Sequence, residues 1–240
     1  MSLSFDDCGL AKAAPIDGIY REHFDDWLKN GYNAQMQWIE KNIEIRFNPA
    51  LLLENAKTAI VVLQSYKITP KETPNGKIAR CKSLEEDYHL TIKSKLKILS
   101  EKIAEFLPTA KFRPCVDSAP ILEKYWAQKA GLGTIGKNTL FISDKIGSFC
   151  NIGILLLDAD IPIAAAPLPT KNFCDKCGKC IISCPTKALV SPYTIDCRKC
   201  ISYQTIHKTE PDFDFHGWDL GCDICQEVCP RNLGKNNFLH

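Results

Sequence analysis

Thirteen cysteines are the chemical signal of this 240-residue chain, and nine of them fall between Cys174 and Cys229. The run Cys174-x2-Cys177-x2-Cys180-x3-Cys184-Pro185 has the spacing in which three thiolates hold one [4Fe-4S] cluster and the fourth reaches across to a second. Further on, Cys222-x2-Cys225-x3-Cys229-Pro230 repeats its last three positions, with Asp219 where the first cysteine would stand. Ligand exchange between the two runs assigns Cys174, Cys177, Cys180 and Cys229 to one cluster and Cys184, Cys222 and Cys225 to the other. Either Cys197 or Cys200 must complete the second set. A zinc-ribbon spacing also exists in Cys177-x2-Cys180-x16-Cys197-x2-Cys200, but it leaves both Cys-Pro endings without a purpose.

Outside that region the chemistry is sparser. Cys115-Val-Asp117-Ser-Ala-Pro120 puts an acid at a strand end just before a helix start. A partly buried carboxyl there would have a raised pKa and could donate a proton; its plainer role would be helix-start capping. Gly131-Leu-Gly133-Thr-Ile-Gly136-Lys137-Asn138 looks like a dinucleotide or P-loop fingerprint. Both of those need a strand before and a helix after, and here the order is reversed. The glycines therefore read as a helix cap and turn, or as a backbone cradle for a large cofactor. Cys81 by itself is a small buried side chain as readily as a catalytic one. Asp214-Phe-His216-Gly217-Trp-Asp219 lacks the final glycine of a cobalt-ligating Asp-x-His-x-x-Gly box.

The elements that must position these groups divide the chain in two. Residues 58–66 (TAIVVLQSY) read as a buried strand. Leu90, Leu96, Leu99, Ile103 and Phe106 recur at helical spacing over 87–107, with Pro108 as a stop. A strand at 111–116, a helix from Pro120 to Gly131, and strands around 139–142 and 152–157 complete an α/β (α+β) domain. The proline-bearing stretch 160–172 separates it from the cysteines, giving an expected division into a catalytic domain at 1–165 and a ferredoxin-like domain at 166–240. A chain of 45% hydrophobic and 24% charged residues with a net charge of +2 is ordinary for a globular protein and carries no global nucleic-acid signature. Residues 67–102 nevertheless hold nine Lys/Arg against five Asp/Glu. No apolar run is long enough to span a bilayer, and the N-terminus lacks the layout of a secretory signal, so a cytoplasmic location is expected. Cysteine-rich chains in that compartment use their thiols for metal or redox chemistry.

Taken together, Asp87-Tyr88-His89, Val116-Asp117-Ser-Ala-Pro120, Ala130-Gly-Leu-Gly-Thr-Ile-Gly-Lys-Asn138, Gly147-Ser148 and Cys200-Ile-Ser-Tyr203, with the cysteine pattern, resemble epoxyqueuosine reductase from about Ile43 to His240. The resemblance implies a cobalamin- and iron–sulfur-dependent enzyme that reduces epoxyqueuosine to queuosine in the tRNA anticodon loop. It further implies Asp117 as proton donor and Cys200 as the eighth cluster ligand. Arg46, Cys81, Asp117, Lys137, Asn138 and Ser202 would line the cobalamin, which would be held without a protein histidine. The partners so implied are tRNA carrying epoxyqueuosine and a low-potential electron donor such as flavodoxin or ferredoxin, acting on a monomer. Two departures accompany it: many relatives continue into a helical-repeat domain, and Arg231 follows the last Cys-Pro where an apolar or aromatic residue is common. The alternatives are a cobalamin-dependent reductase of another substrate, such as an organohalide, and a ferredoxin-like electron carrier with no chemistry of its own.

Overall fold

A computed structural model describes residues 3–16, 18–66, 68–162, 173–210 and 212–233. The expected domain boundary at 165/166 and most of the proline-bearing linker lie outside the described residues, as does the end of the chain from 234.

The first half begins with β1 (Asp7–Lys12), α1 (Gly18–Lys29), α2 (Gln37–Glu40) and α3 (Ile43–Phe47), then β2 (Thr58–Ser65), β3 (Glu72–Thr73) and β4 (Gly76–Ile78). It continues through α4 (Tyr88–Ala104), β5 (Phe112–Cys115), α5 (Glu123–Lys129), β6 (Gly133–Ile135), β7 (Phe141–Ser143) and β8 (Cys150–Leu157). A four-stranded antiparallel sheet of order β1-β2-β8-β5 forms the centre. Its middle strands are buried on both faces, which is why 58–63 is a continuous apolar run rather than an alternating one. Ala59, Val61, Leu63, Ile154 and Leu156 face Tyr125, Trp126 and Ala127 of α5. Ile60, Val62, Leu155 and Leu157 face Ile92 and Leu96 of α4. Gly153 permits that second contact, because a Cβ there would stand 2.6 Å from Ile92 Cγ2.

The buried stripe of α4 is Ile92, Leu96, Leu99 and Ile103, so the expected face needs correcting: Leu90 and Phe106 are 69% and 82% exposed. Leu90 stands on the face of α4 opposite the Ile92 and Leu96 stripe, and Phe106 lies past the helix end at Ala104. The next helix begins at Glu123 rather than at Pro120, since residues 118–122 form successive tight turns.

The cysteine region adds α6 (Lys179–Ser183), β9 (Leu189–Ser191), β10 (Thr194–Ile195), α7 (Ile201–His207), β11 (Trp218–Leu220), α8 (Ile224–Glu227) and α9 (Pro230–Leu233). It is sewn to the first half. β11 pairs in parallel with β4, and Arg80 pairs with Asp223 and Glu227 at 3.3 and 2.8 Å. Asn232 bonds Ser148 and Gln226 in a buried network. The N-terminal segment joins through Trp27 Nε1, which donates to Ile195 O, and Gln35 N–H, which donates to Tyr203 Oη.

Candidate active site

β5 ends at Cys115, and the chain turns at Asp117 with φ +46°, a conformation that favours glycine over a residue with a Cβ. Asp117 Oδ2 lies 2.8 Å from His89 Nε2, and His89 Nδ1 lies 2.6 Å from Asp87 Oδ1. Asp87 is the N-cap of α4 and accepts the His89 N–H at 2.9 Å, a local sequence preference that fixes where the imidazole starts. Tyr88 stacks on that ring at 4.0 Å. Partial burial lowers the His89 pKa, but hydrogen bonds to Asp117 and Asp87 outweigh it, so the imidazole is held above its ordinary value.

The side chain of Asp117 is 60% exposed, which corrects the expectation of a partly buried acid. It does not cap the following helix either, whose N-cap is Leu122. The carboxyl shaped by its surroundings is Glu123, which is half-buried: desolvation pushes it up to about 8, although the Asp117 N–H it accepts at 2.5 Å opposes that shift. The physical reason is placement. Asp117 stands on a turn beyond the sheet edge, whereas Glu123 opens a helix anchored by buried Tyr125, Trp126 and Ala127.

Cys174, Cys177, Cys180 and Cys229 line one small cavity with Lys137, Asn138 and Pro230. Cys200 and Cys184 are charge neighbours of both Cys222 and Cys225, and Cys180 of the first cavity is a charge neighbour of Cys225 as well. Burial pushes the Cys222 thiol up to about 12, with those neighbours adding to it. Cys197 is also buried and raised to about 12, but its charge neighbours are Cys200, Asp196 and Lys124. Cys177 and Cys180 line the small cavity and Cys197 and Cys200 do not, so the four thiols of the zinc-ribbon spacing do not share it.

The glycine-rich segment follows a helix and enters the β6–β7 hairpin, in keeping with the reversed order in the sequence. Gly131, at φ +73°, closes α5. From the hairpin turn Lys137 Nζ donates to Asp175 O and Cys177 O at 3.0 and 2.9 Å, and Asn138 Nδ2 donates to Cys225 O at 3.3 Å. Both side chains thus grip the cysteine loops. Arg46 stacks its guanidinium over Trp38 at 5.5 Å, and its buried Nε has no hydrogen-bond partner among the described residues. Cys81 and Cys222 pack against the same small apolar cluster, and Ser202 is half-buried in the first turn of α7. Lys124 Nζ donates to Thr139 O at 2.8 Å, and its charge neighbours include Glu123, Cys197, Cys225 and Asp117. Beside Tyr88 a cavity of about 470 Å³ opens between the end of β2 and residues 83–86. Sequence reasoning missed Glu123 and Lys124, for which no local pattern exists. His89 had a signal, the acid two residues before it at a helix start.

Two family profiles match this chain: "Epoxyqueuosine reductase QueG, DUF1730" over residues 46–118 and "4Fe-4S double cluster binding domain" over residues 173–232. The epoxyqueuosine reductase of Cellulophaga algicola is 41% identical over 236 residues, covering 96% of this chain and 76% of that protein. The chain belongs to the epoxyqueuosine reductase family. Among solved structures, an epoxyqueuosine reductase crystallised with an epoxyqueuosine-modified tRNA-Tyr stem loop superimposes with a TM-score of 0.85 at 29% identity. That match covers 99% of this family member and 64% of the solved chain. A catabolic reductive dehalogenase shares the fold alone, at a TM-score of 0.56 and 15% identity over 95% of this chain and 30% of its own. No helix among the described residues is long and apolar enough to cross a membrane.

Proposed function

We propose that the protein reduces epoxyqueuosine to queuosine in the anticodon loop of tRNA, with two [4Fe-4S] clusters and cobalamin as its cofactors. The observation that carries this reading is the position of the His89-bonded Asp117, which shares the neighbourhood of Lys124 with Cys225 of the second thiol group. The donor set supports this reading: Cys174, Cys177, Cys180 and Cys229 line one cavity, Cys184 and Cys200 are charge neighbours of Cys222 and Cys225, and burial keeps several of these thiols neutral unless a cationic centre offsets the charge. We assign Cys174, Cys177, Cys180 and Cys229 to one cluster and Cys184, Cys200, Cys222 and Cys225 to the other. The buried, unpartnered Nε of Arg46 suits a cofactor whose rim is studded with amide carbonyls. Arg46, Cys81, Asp117, Lys137, Asn138 and Ser202 would contribute to its lining. When bound, the clusters supply single electrons and cobalamin a strongly reducing cobalt centre.

The reaction removes the epoxide oxygen as water, consuming two electrons and two protons. Asp117, exposed to an incoming base, is placed to give a proton to that oxygen as its C–O bond breaks. His89 bridges Asp117 to Asp87 and solvent, so it can return the proton. An unstacked anticodon-loop base can be read by shape, aromatic contact and a few polar groups, without a strongly basic protein. The cavity beside Tyr88, lined by Tyr66, Tyr88 and polar side chains such as Gln64, Thr91 and Asn151, supports that mode. The same reading puts the protein in the cytoplasm as a monomer, reduced by a small low-potential carrier such as flavodoxin or ferredoxin.

Anaerobic protein carrying both clusters and cobalamin, given a low-potential reductant and an epoxyqueuosine-bearing anticodon stem loop, should yield RNA lighter by one oxygen in mass spectrometry. Unchanged RNA from fully loaded protein would overturn the assignment.

A further inference from the structure

The turn that presents Asp117 is held from outside itself. Ser118 N–H donates to Val116 O at 2.5 Å across Asp117, whose φ is +46°. A three-residue turn closed around a positive-φ, non-glycine residue is the rare and strained kind. Such a conformation persists only when its surroundings over-determine it. Two contacts do so: the carboxylate reaches His89, and the backbone N–H of Asp117 donates to Glu123 Oε1 at 2.5 Å. Glu123 is rigidly placed, because it opens α5 and the residues that follow are locked in the main core.

We infer that Glu123 is a positioning residue, a clamp on the backbone of Asp117 that keeps its carboxyl aimed at His89 and at the substrate. This rests on the reading of Asp117 as the proton donor. Glu123 itself touches neither substrate nor cofactor in this role. What the clamp requires is an acceptor oxygen rather than a negative charge. Burial favours the protonated carboxyl, whose carbonyl oxygen accepts the same N–H. A glutamine should therefore serve, and an alanine should not. Without the clamp the turn can relax toward ordinary backbone angles, carrying the Asp117 carboxyl away from the imidazole.

The test uses His89 as a reporter that does not depend on turnover. Its imidazole titrates above the ordinary value because of its bonds to Asp117 and Asp87. In heteronuclear NMR of the intact protein, Asp117→Ala sets the His89 titration expected when the Asp117 contact is absent. Glu123→Ala should move His89 toward that reference, and Glu123→Gln should restore the native curve. In turnover, Glu123→Ala should lower kcat by about ten- to a hundredfold with KM for the stem loop unchanged, and Glu123→Gln should stay within about threefold of the parent. A native His89 titration in a folded Glu123→Ala variant would overturn the clamp. So would Glu123→Gln behaving like Glu123→Ala. If the His89 shifts appear but no variant nor the parent acts on epoxyqueuosine, the clamp stands and the proposed reaction fails.

Discussion

Replacing Asp117 with asparagine keeps the volume of the side chain and a hydrogen bond to His89 while removing its acid. Loss of a general acid typically costs about 10²- to 10⁴-fold, so single-turnover conversion of the stem loop should fall by that factor with RNA affinity unchanged. Cys200 and Cys197 offer a second comparison. Cys200 has Cys184, Cys222 and Cys225 as charge neighbours, whereas those of Cys197 are Cys200, Asp196 and Lys124. Cys200→Ser should lower iron from about eight toward about four atoms per chain, while Cys197→Ser should leave it intact; the reverse result would reassign the ligand. Glu123 makes a prediction about pH. Burial raises its pKa to about 8, so between about pH 5 and pH 8 the folded protein holds a proton that the unfolded chain has released. Stability from this group is greatest below the unfolded carboxyl pKa and is lost as pH rises toward 8. Thermal unfolding across that range should show a decline in the parent that Glu123→Gln flattens.

At the scale of elements, the β6–β7 hairpin links the two halves of the chemistry. Its turn supplies Lys137 and Asn138 to the backbones of both cysteine groups, and its closure requires Gly133, where a Cβ would stand 2.1 Å from Ile142 O. Gly133→Ala should destabilise the protein by about 3 kcal/mol. Because the hairpin holds the cysteine loops, iron retention should fall with it, read by metal analysis after gel filtration. The helix α4 shows how far pattern reading reaches. Its period and its Asp87 cap are local properties, legible from side-chain type and spacing. Which apolar residues count was not, because Phe106 fits the period yet lies past the helix end, and Leu90 lies on the face opposite the buried Ile92 and Leu96.

Across the whole molecule, the two halves are interlocked rather than appended. β11 of the cysteine region completes a sheet with β4 and β3, and Arg80 reaches over to Asp223, whose side chain is only 1% exposed. Arg80→Ala would leave that carboxylate buried without its cation, at a cost of about 3 kcal/mol. Calorimetry of the anaerobic protein should still show one transition at a lower midpoint, because neither half retains its neighbours alone; two separated transitions would contradict the interlocked arrangement. The sequence alone determined what short-range rules encode: the cluster spacing, with seven of its eight expected ligands, the buried central strand, and the reversed helix-to-hairpin order around the glycines. Cluster spacing is legible because a cubane demands thiolates at fixed separations along a short loop. Only the tertiary structure decided that Cys184 is a charge neighbour of Cys200, that Asp117 is exposed while Glu123 is half-buried, and that Lys124 has both carboxyls and thiols among its charge neighbours. Those facts depend on which surfaces meet across more than a hundred residues of chain, and burial, unlike spacing, is a property of the partner surface as much as of the residue itself.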